Sequence, residues 1–353
     1  MMTHQPKFPA DIRRLWLAKP EMRERDFARI HDITEAELLA AHVGAHVTRL
    51  DIDMAAMLEA LPGLGEVMAL TRNESAVHEK IGPYENVKYG AHASIVLGEQ
   101  IDLRIFPKKW VHAFSVSKPT GEGDIRRSLQ FFDAYGDAVH KVHMRPATDI
   151  EALDAFVARF TSADQSAGMT VVERPANKPL IAPDAELPVA LRDEWSRMTD
   201  THQFVSILKR FNLSRHQAVN LIDRDYAWRL DLDGVSQMFA GAVASALPIM
   251  VFVGNDGCIQ IHSGPVFEVK PMGPWLNVMD PTFHLHLRQD HITELWAVRK
   301  PTKDGHVTSL EAYGADGELI IQFFGKRHEG HEELSGWRSL VEGLQSHDQV
   351  NAA

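Results

Sequence analysis

Apolar residues recur along this chain at two different spacings. Over residues 26–43 and 201–222 they return every third or fourth position, which predicts helices; Phe204, Ile207, Leu208 and Phe211 make one such face. Elsewhere short apolar or alternating runs are bounded by Gly, Asp, Asn and Pro, which predicts strands. In the first half these are EVMALTR, ESAVHEKIG, ASIVLG, QIDLRIF, WVHAFSVSK and RRSLQFFDA. In the second they are IMVFVG, CIQIHSG, WLNVMD, FHLHLR, ELWAVRK and VTSLEAYG. Strands joined by turns rather than helices imply antiparallel meanders. A closing helix is predicted near 148–160 and again near 330–345.

The two halves lie on each other. Val67–Glu74 (VMALTRNE) falls on Ile249–Asp256 (IMVFVGND) at an offset of 182, and Gly82-Pro83, IDLRI from Ile101 and KPT from Lys118 find Gly264-Pro265, FHLHL and KPT at the same offset. RLD at Arg49 returns at Arg229, and the capping-box patterns Thr34-x-x-Glu37 and Ser214-x-x-Gln217 keep the same offset of 180. Matches in one order at nearly one offset indicate an internal duplication. The expected fold is therefore α+β: two similar halves, each a large antiparallel sheet with helices on one side and a ligand cleft between sheet and helices. The halves are placed at 1–165 and 189–353, joined by a linker of turn composition at 166–188.

Composition narrows the function. The charge of −11 argues against general nucleic-acid binding, and no apolar run approaches the roughly 18 residues of a membrane span. No secretory signal is read at the N-terminus, and the single cysteine, Cys258, allows no internal disulfide or multi-thiolate cluster, so a cytoplasmic location is expected. Nineteen histidines are the unusual count.

One of them stands out. In TDTHQFVSILKRF, His202 occupies a helix start, where the positive end of the dipole favours a neutral ring, the form a metal ligand needs. The plainer reading is an exposed first-turn histidine. The duplication acts as a control: His202 falls on Met22, Arg104 on His286 and His78 on Gln260, so these residues belong to one half each. His284 and His286 share a strand face with His291 beyond, a spacing that suits zinc but lacks an evident further ligand. Cys258 reads as a core cysteine. There is no GxGxxG between a strand and a helix, so electrons for any redox step would come from outside.

Taken together, TRNESAVHEKIGPYENV, IDLRIFPKKW, TDTHQFVSILKRF, RKPTKDGHVTSLEAY and IIQFFGKR resemble the bacterial cytoplasmic hemin-degrading factors, also described as haem-trafficking proteins. The likeness spans nearly the whole chain. It implies haem b as the bound group, His202 as the axial iron ligand and Arg104 on the opposite haem face, the residue expected to assist any catalysis. It implies Arg215 and Lys300 as cations for the propionates, Gln322 as a polar contact, and Phe252 and Phe106 against the macrocycle. His78 is a candidate second ligand. An imidazole is an ordinary haem ligand, and an always-charged arginine suits negative charge. Three functions follow: a carrier that delivers haem to a haem oxygenase, an oxygen-dependent enzyme that opens the ring with an external reductant, or a storage or haem-responsive protein. The implied partners are haem, a haem oxygenase or reductase, and the inner-membrane haem transporter, with no nucleic acid and no membrane insertion; oligomeric state is left open.

Overall fold

Both capping boxes expected from the repeat form in the computed structural model, which describes residues 8–19, 21–120, 123–175, 186–327 and 330–347. Thr34 and Ser214 accept from the backbone N–H groups of Glu37 and Gln217, whose side chains answer to the N–H of each cap. Each such cap stabilises its helix by about 1 kcal/mol.

The first half runs α1 (Pro9–Leu17), α2 (Glu24–Ile30), α3 (Glu35–Ala40), β1 (Val47–Leu50), α4 (Met54–Ala60), β2 (Gly65–Arg72), β3 (Ala76–Gly82), β4 (Ser94–Leu97), β5 (Asp102–Ile105), β6 (His112–Pro119), β7 (Ile125–Phe132), β8 (Ala138–Thr148) and α5 (Ile150–Phe160). The second runs α6 (Leu187–Ser196), α7 (Gln203–Phe211), α8 (Arg215–Leu221), β9 (Ala227–Leu230), α9 (Gly234–Ala244), β10 (Ile249–Gly254), β11 (Cys258–Gly264), β12 (Val269–Met272), β13 (Trp275–Met279), β14 (Phe283–Arg288), β15 (Glu294–Thr302), β16 (Gly305–Tyr313), β17 (Leu319–Gly325) and α10 (Ser335–Glu342). The order of elements repeats, as the duplication requires. Among the described residues no helix is long and apolar enough to cross a membrane.

The chain divides into two units. One holds Met1–Arg72, Glu79–Ala176 and Gly254–Gln260; the other holds Asn73–His78, Asn177–Val253 and Ile261–Ala353. In the first, antiparallel pairing runs β1·β6·β7·β8·β2; in the second it runs β9·β15·β16·β17·β10, the same order from the repeated strands. The first unit packs α4 and α5 on one sheet face through Met57, Leu58, Leu153 and Phe156 against Val67, Ala69, Leu129 and Val142. The second packs α9 and α10 likewise, with Phe239 and Trp337 against Phe323, Leu310 and Val251. Fully burying a side chain of this size contributes roughly 1.5–3 kcal/mol.

Helices cover both faces of each sheet, not one side as the sequence pattern suggests. On the second face α3 packs Ala36, Leu39 and Ala40 against Phe114, Val116 and Phe132, and α6–α8 pack around Trp195 and Phe204 with Val298 of β15. The sequence pattern leaves α1, α4, α6 and α9 unmarked; on α9 (GVSQMFAGAVA) the face away from the core carries Ala240, Val243 and Ala244, so no clean polar stripe marks its period. The helices expected over 26–43 and 201–222 are each broken in two, by Asp32 and Asn212 at positive φ (50° and 52°) followed by the capping boxes.

Two glycines tie these caps to the sheets. Gly136 and Gly317 occupy the turns β7–β8 and β16–β17 with φ of 82° and 77°. A Cβ on Gly136 would lie 2.4 Å from Thr34 Oγ1, and one on Gly317 2.8 Å from the His216 ring. Each turn therefore needs glycine both for its left-handed backbone and to let the helix start sit against it.

Candidate functional site

The loop before α7 is built around Asp200. Its Oδ1 accepts the backbone N–H of His202 at 2.8 Å and lies 2.7 Å from the ring Nδ1 of the same residue. The Gln203 side chain reaches back to the N–H groups of Thr199 and Asp200 at 2.9 and 3.3 Å. The backbone N–H of His202, followed by its ring, holds the Asp200 carboxyl below its ordinary range. A carboxylate accepts only, so the proton on Nδ1 faces Asp200, and in the tautomer that binds a metal Nε2 keeps its lone pair. The His202 side chain is 94% exposed. The helix itself begins one residue later, at Gln203, which makes His202 its N-cap; α7 buries Phe204 and Ile207 while this ring stays outside.

Below α7 lies a buried carboxylate that the sequence reading did not single out. Glu311 on β16 is completely buried. Its Oε1 accepts from Lys300 Nζ at 2.8 Å, Gln322 Nε2 at 2.9 Å, Ser309 Oγ at 2.9 Å and Arg215 Nη1 at 3.1 Å; its Oε2 accepts from Tyr313 OH at 2.6 Å. The two cations expected for the propionates, Arg215 and Lys300, and the expected polar contact Gln322 thus converge on one internal anion. Burial alone would raise the Glu311 carboxyl, but the charges of Lys300 and Arg215 and the hydrogen bonds outweigh it and hold it well below its ordinary range. Burial pushes the Lys300 ammonium down, opposed by Glu311, and pushes the Tyr313 phenol up, reinforced by Glu311. The ion pair is the stable state of this cluster. Phe204 caps it, with the Lys300 ammonium 5.0 Å and the Arg215 guanidinium 4.9 Å from its ring centre. The helix that His202 caps is seated on these cations.

Beside the cluster the sheet is half open. Phe252 on β10 pairs with Gln322 on β17, and Met250 with Phe324. All four are partly exposed, and the Phe252 and Phe324 rings meet edge-on at 5.0 Å. An apolar floor, an imidazole with an open nitrogen on the bordering helix, and donors at the rim belong to this one unit.

Arg104 and Phe106 belong to the other unit. Arg104, on β5 between the buried Leu103 and Ile105, is paired with Asp102 and is 37% exposed. Phe106 is half-buried, its backbone N–H donating to Gly257 O at 2.9 Å. His78, on β3, has no exposed surface and lies 4.9 Å from the Phe283 ring, whose other neighbour is His262, stacked at 3.9 Å. A ligand reaching His78 would have to open this core. Of the histidines on and after β14, His286 pairs with Asn277 Oδ1 at 2.6 Å and His291 with Ser75 Oγ at 2.9 Å, and no group of three metal-type side chains occurs among the described residues. Cys258 is buried, as expected of a core cysteine.

Glu311 had a signal in the sequence. A carboxylate inside the run VTSLEAY, sharing a strand face with Ser309 and Tyr313, needs a cation, and the turn PTKDG brings the Lys300 strand beside it.

The repeat has known counterparts. The chain matches the haemin-degrading HemS.ChuX domain twice, over residues 32–160 and 212–344. It belongs to the HemS.ChuX family. The two matches fall on the two copies read from the sequence. The hemin transport protein HmuS of Yersinia pestis is 42% identical over 336 residues, 93% of this chain and 94% of that protein. Holo-PhuS, a heme-binding protein from Pseudomonas aeruginosa, has a TM-score of 0.91 at 43% identity, covering 96% of this chain and 99% of its own. ChuS, described as an E. coli heme oxygenase, has a TM-score of 0.85 at 39% identity over 95% and 99%.

Proposed function

We propose that this member of the HemS.ChuX family binds haem b in the cytoplasm through His202 and carries it for transfer or ring opening. The observation that carries the reading is the His202–Asp200 pair: an exposed imidazole on a helix start whose Nδ1–H is held by a carboxylate, leaving Nε2 to take iron. Metal-ligating histidines are oriented in this way, and the partner raises their basicity. The half-open floor of Phe252 and Phe324 suits a flat macrocycle, and Arg215 and Gln322 at its rim suit carboxylates. Arg104 and Phe106 are proposed on the opposite haem face on the strength of the family resemblance. His78 is left out because it is buried.

A hemin titration followed by absorbance tests this, on the wild type and His202→Ala side by side. The expected result is a sharp Soret band saturating at one haem per chain and lost or shifted in the variant. A wild type without a Soret change sinks the haem reading; identical titrations sink His202 as the ligand. Transfer and degradation are separated by adding ascorbate to the complex with and without catalase. Soret loss that persists with catalase supports ring opening by the protein; loss that catalase abolishes assigns it to free peroxide and leaves a carrier, whose partners would be a haem oxygenase, a reductase or the inner-membrane haem transporter. The relatives divide the same way, one named a transport protein and one described as a heme oxygenase.

A further inference from the structure

The cluster under α7 contains more cations than its position at the rim requires, and they are not equivalent. The Lys300 side chain is 5% exposed, its ammonium committed to Glu311 and Ser309 and covered by Phe204. Arg215 is 26% exposed, and its contacts with described residues account for one of its five N–H groups. Gln322 is half-buried and spends one amide hydrogen on Glu311. The two outer donors share one anchor, Glu311 Oε1, which also holds Lys300.

We infer that Glu311 is a positioning residue for carboxylate recognition: it orients Arg215 and Gln322 at the rim, and Lys300 acts through it rather than by touching the ligand. Two charges meeting one leave a net positive rim, so an incoming carboxylate finds attraction without having to displace Glu311. Arg215 is fixed between Glu311 and the Phe204 face, which spares it the loss of freedom that a mobile side chain suffers on binding. The Tyr313 hydroxyl, on the far oxygen, fixes the rotation of the carboxylate itself. This inference rests on the haem reading above and deepens it.

The test compares hemin with hemin dimethyl ester, which has the same ring and iron without the carboxylates. Dissociation constants for both are read from Soret titrations of the full chain for wild type, Glu311→Gln and Tyr313→Phe. The wild type is expected to prefer hemin. Glu311→Gln should reduce that preference about tenfold, the scale of a lost charge-assisted hydrogen bond, with the Soret position unchanged. Tyr313→Phe, which keeps the buried volume, should reduce it less but in the same direction, and answers the question if Glu311→Gln fails to fold. A merely structural role would weaken both compounds alike, so an unchanged ratio in the variants overturns the inference. A wild type that binds both equally also overturns it, while its Soret band leaves His202 ligation standing.

Discussion

His140, in the core of the first unit, makes this protein's stability depend on pH in a way that can be calculated. It is 1% exposed, with Tyr84 OH 2.6 Å from Nε2 and Thr71 Oγ1 2.8 Å from Nδ1. Thr71 in turn donates to Cys258 Sγ at 3.5 Å, so the chain of donors runs from Tyr84 through the ring and Thr71 to the thiol. A neutral ring accepts from Tyr84 and donates to Thr71; a protonated one has no acceptor for the phenol. Burial, with the nearby His143 adding to it, lowers the ring from 6.5 to about 3. The folded value is depressed, and the group is a base, so the unfolded chain binds the extra proton between those two values. Stability is then fully present above pH 6.5 and falls as pH drops toward 3. At pH 4.5 the unfolded ring is two units below its midpoint while the folded ring stays neutral, which costs about 2.7 kcal/mol at 1.36 kcal/mol per unit. His143, lowered to about 4 chiefly by burial, adds a similar amount. The assay is urea unfolding at pH 7.5 and 4.5, followed by tryptophan fluorescence, to which Trp110, with its ring 5.5 Å from His140, contributes. The wild type should lose about 5 kcal/mol between the two pH values from these two rings. His42, His46, His112 and His306, also lowered by burial, add in the same direction. His140→Gln should lose about 2.7 kcal/mol less than the wild type. Because each protein is compared with itself, any direct cost of the substitution cancels. If His140→Gln keeps the full pH dependence, the account of this network is wrong.

Two further outcomes follow from single contacts. Asp200→Asn keeps a side chain of the same shape but weakens the hold on Nδ1–H, and should speed hemin release to apomyoglobin by about tenfold, the low end for such partners because the pair is exposed; an unchanged rate would refute the orienting role. Cys258, pushed up to about 12 by burial with Thr71 opposing, should resist iodoacetamide in the native protein at pH 8 and react only on unfolding, measured by intact mass.

What the sequence made legible is what repeats or alternates. The offset of 182 paired strands that pair in the same order in both units, and both capping boxes formed where the Thr34 and Ser214 patterns put them. His202, Arg215 and Gln322 were expected from the family resemblance, and they stand at a helix start, a cap-adjacent position and a strand face. What stayed hidden depends on distance in space. Glu311 lies 96 residues from Arg215, and only the packing of α8 on the sheet brings them together. The helices α4 and α9 escaped because small apolar residues stand on their exposed faces, Ala55 on one and Ala240, Val243 and Ala244 on the other, and blur the polar stripe that reveals a helical period.

The first half differs from the second where the proposed site lies. Register places Gln130 where the second half has Glu311, and Lys141 where it has Gln322. The helix position of Arg215 is held by Glu35, each being the first residue after its cap. The charges are exchanged: here the helix supplies the carboxylate, and the sheet supplies Lys141, at 2.8 Å, and Arg72, in direct contact. All three are largely buried, with side chains 9%, 9% and 13% exposed, so this cluster closes on itself and offers no rim cation like Arg215. On the proposed function, closing the first copy and leaving the second open gives the repeated fold one haem site. Glu35→Gln should therefore act on stability alone. It removes the buried carboxylate shared by Lys141, which burial already lowers to about 8, and Arg72, and breaking a buried pair costs about 3–5 kcal/mol. Urea unfolding should show that loss, while the hemin titration at 20 °C keeps its stoichiometry and Soret position. A Glu35→Gln protein of undiminished stability that no longer takes up hemin would mean that the first copy has kept a binding role.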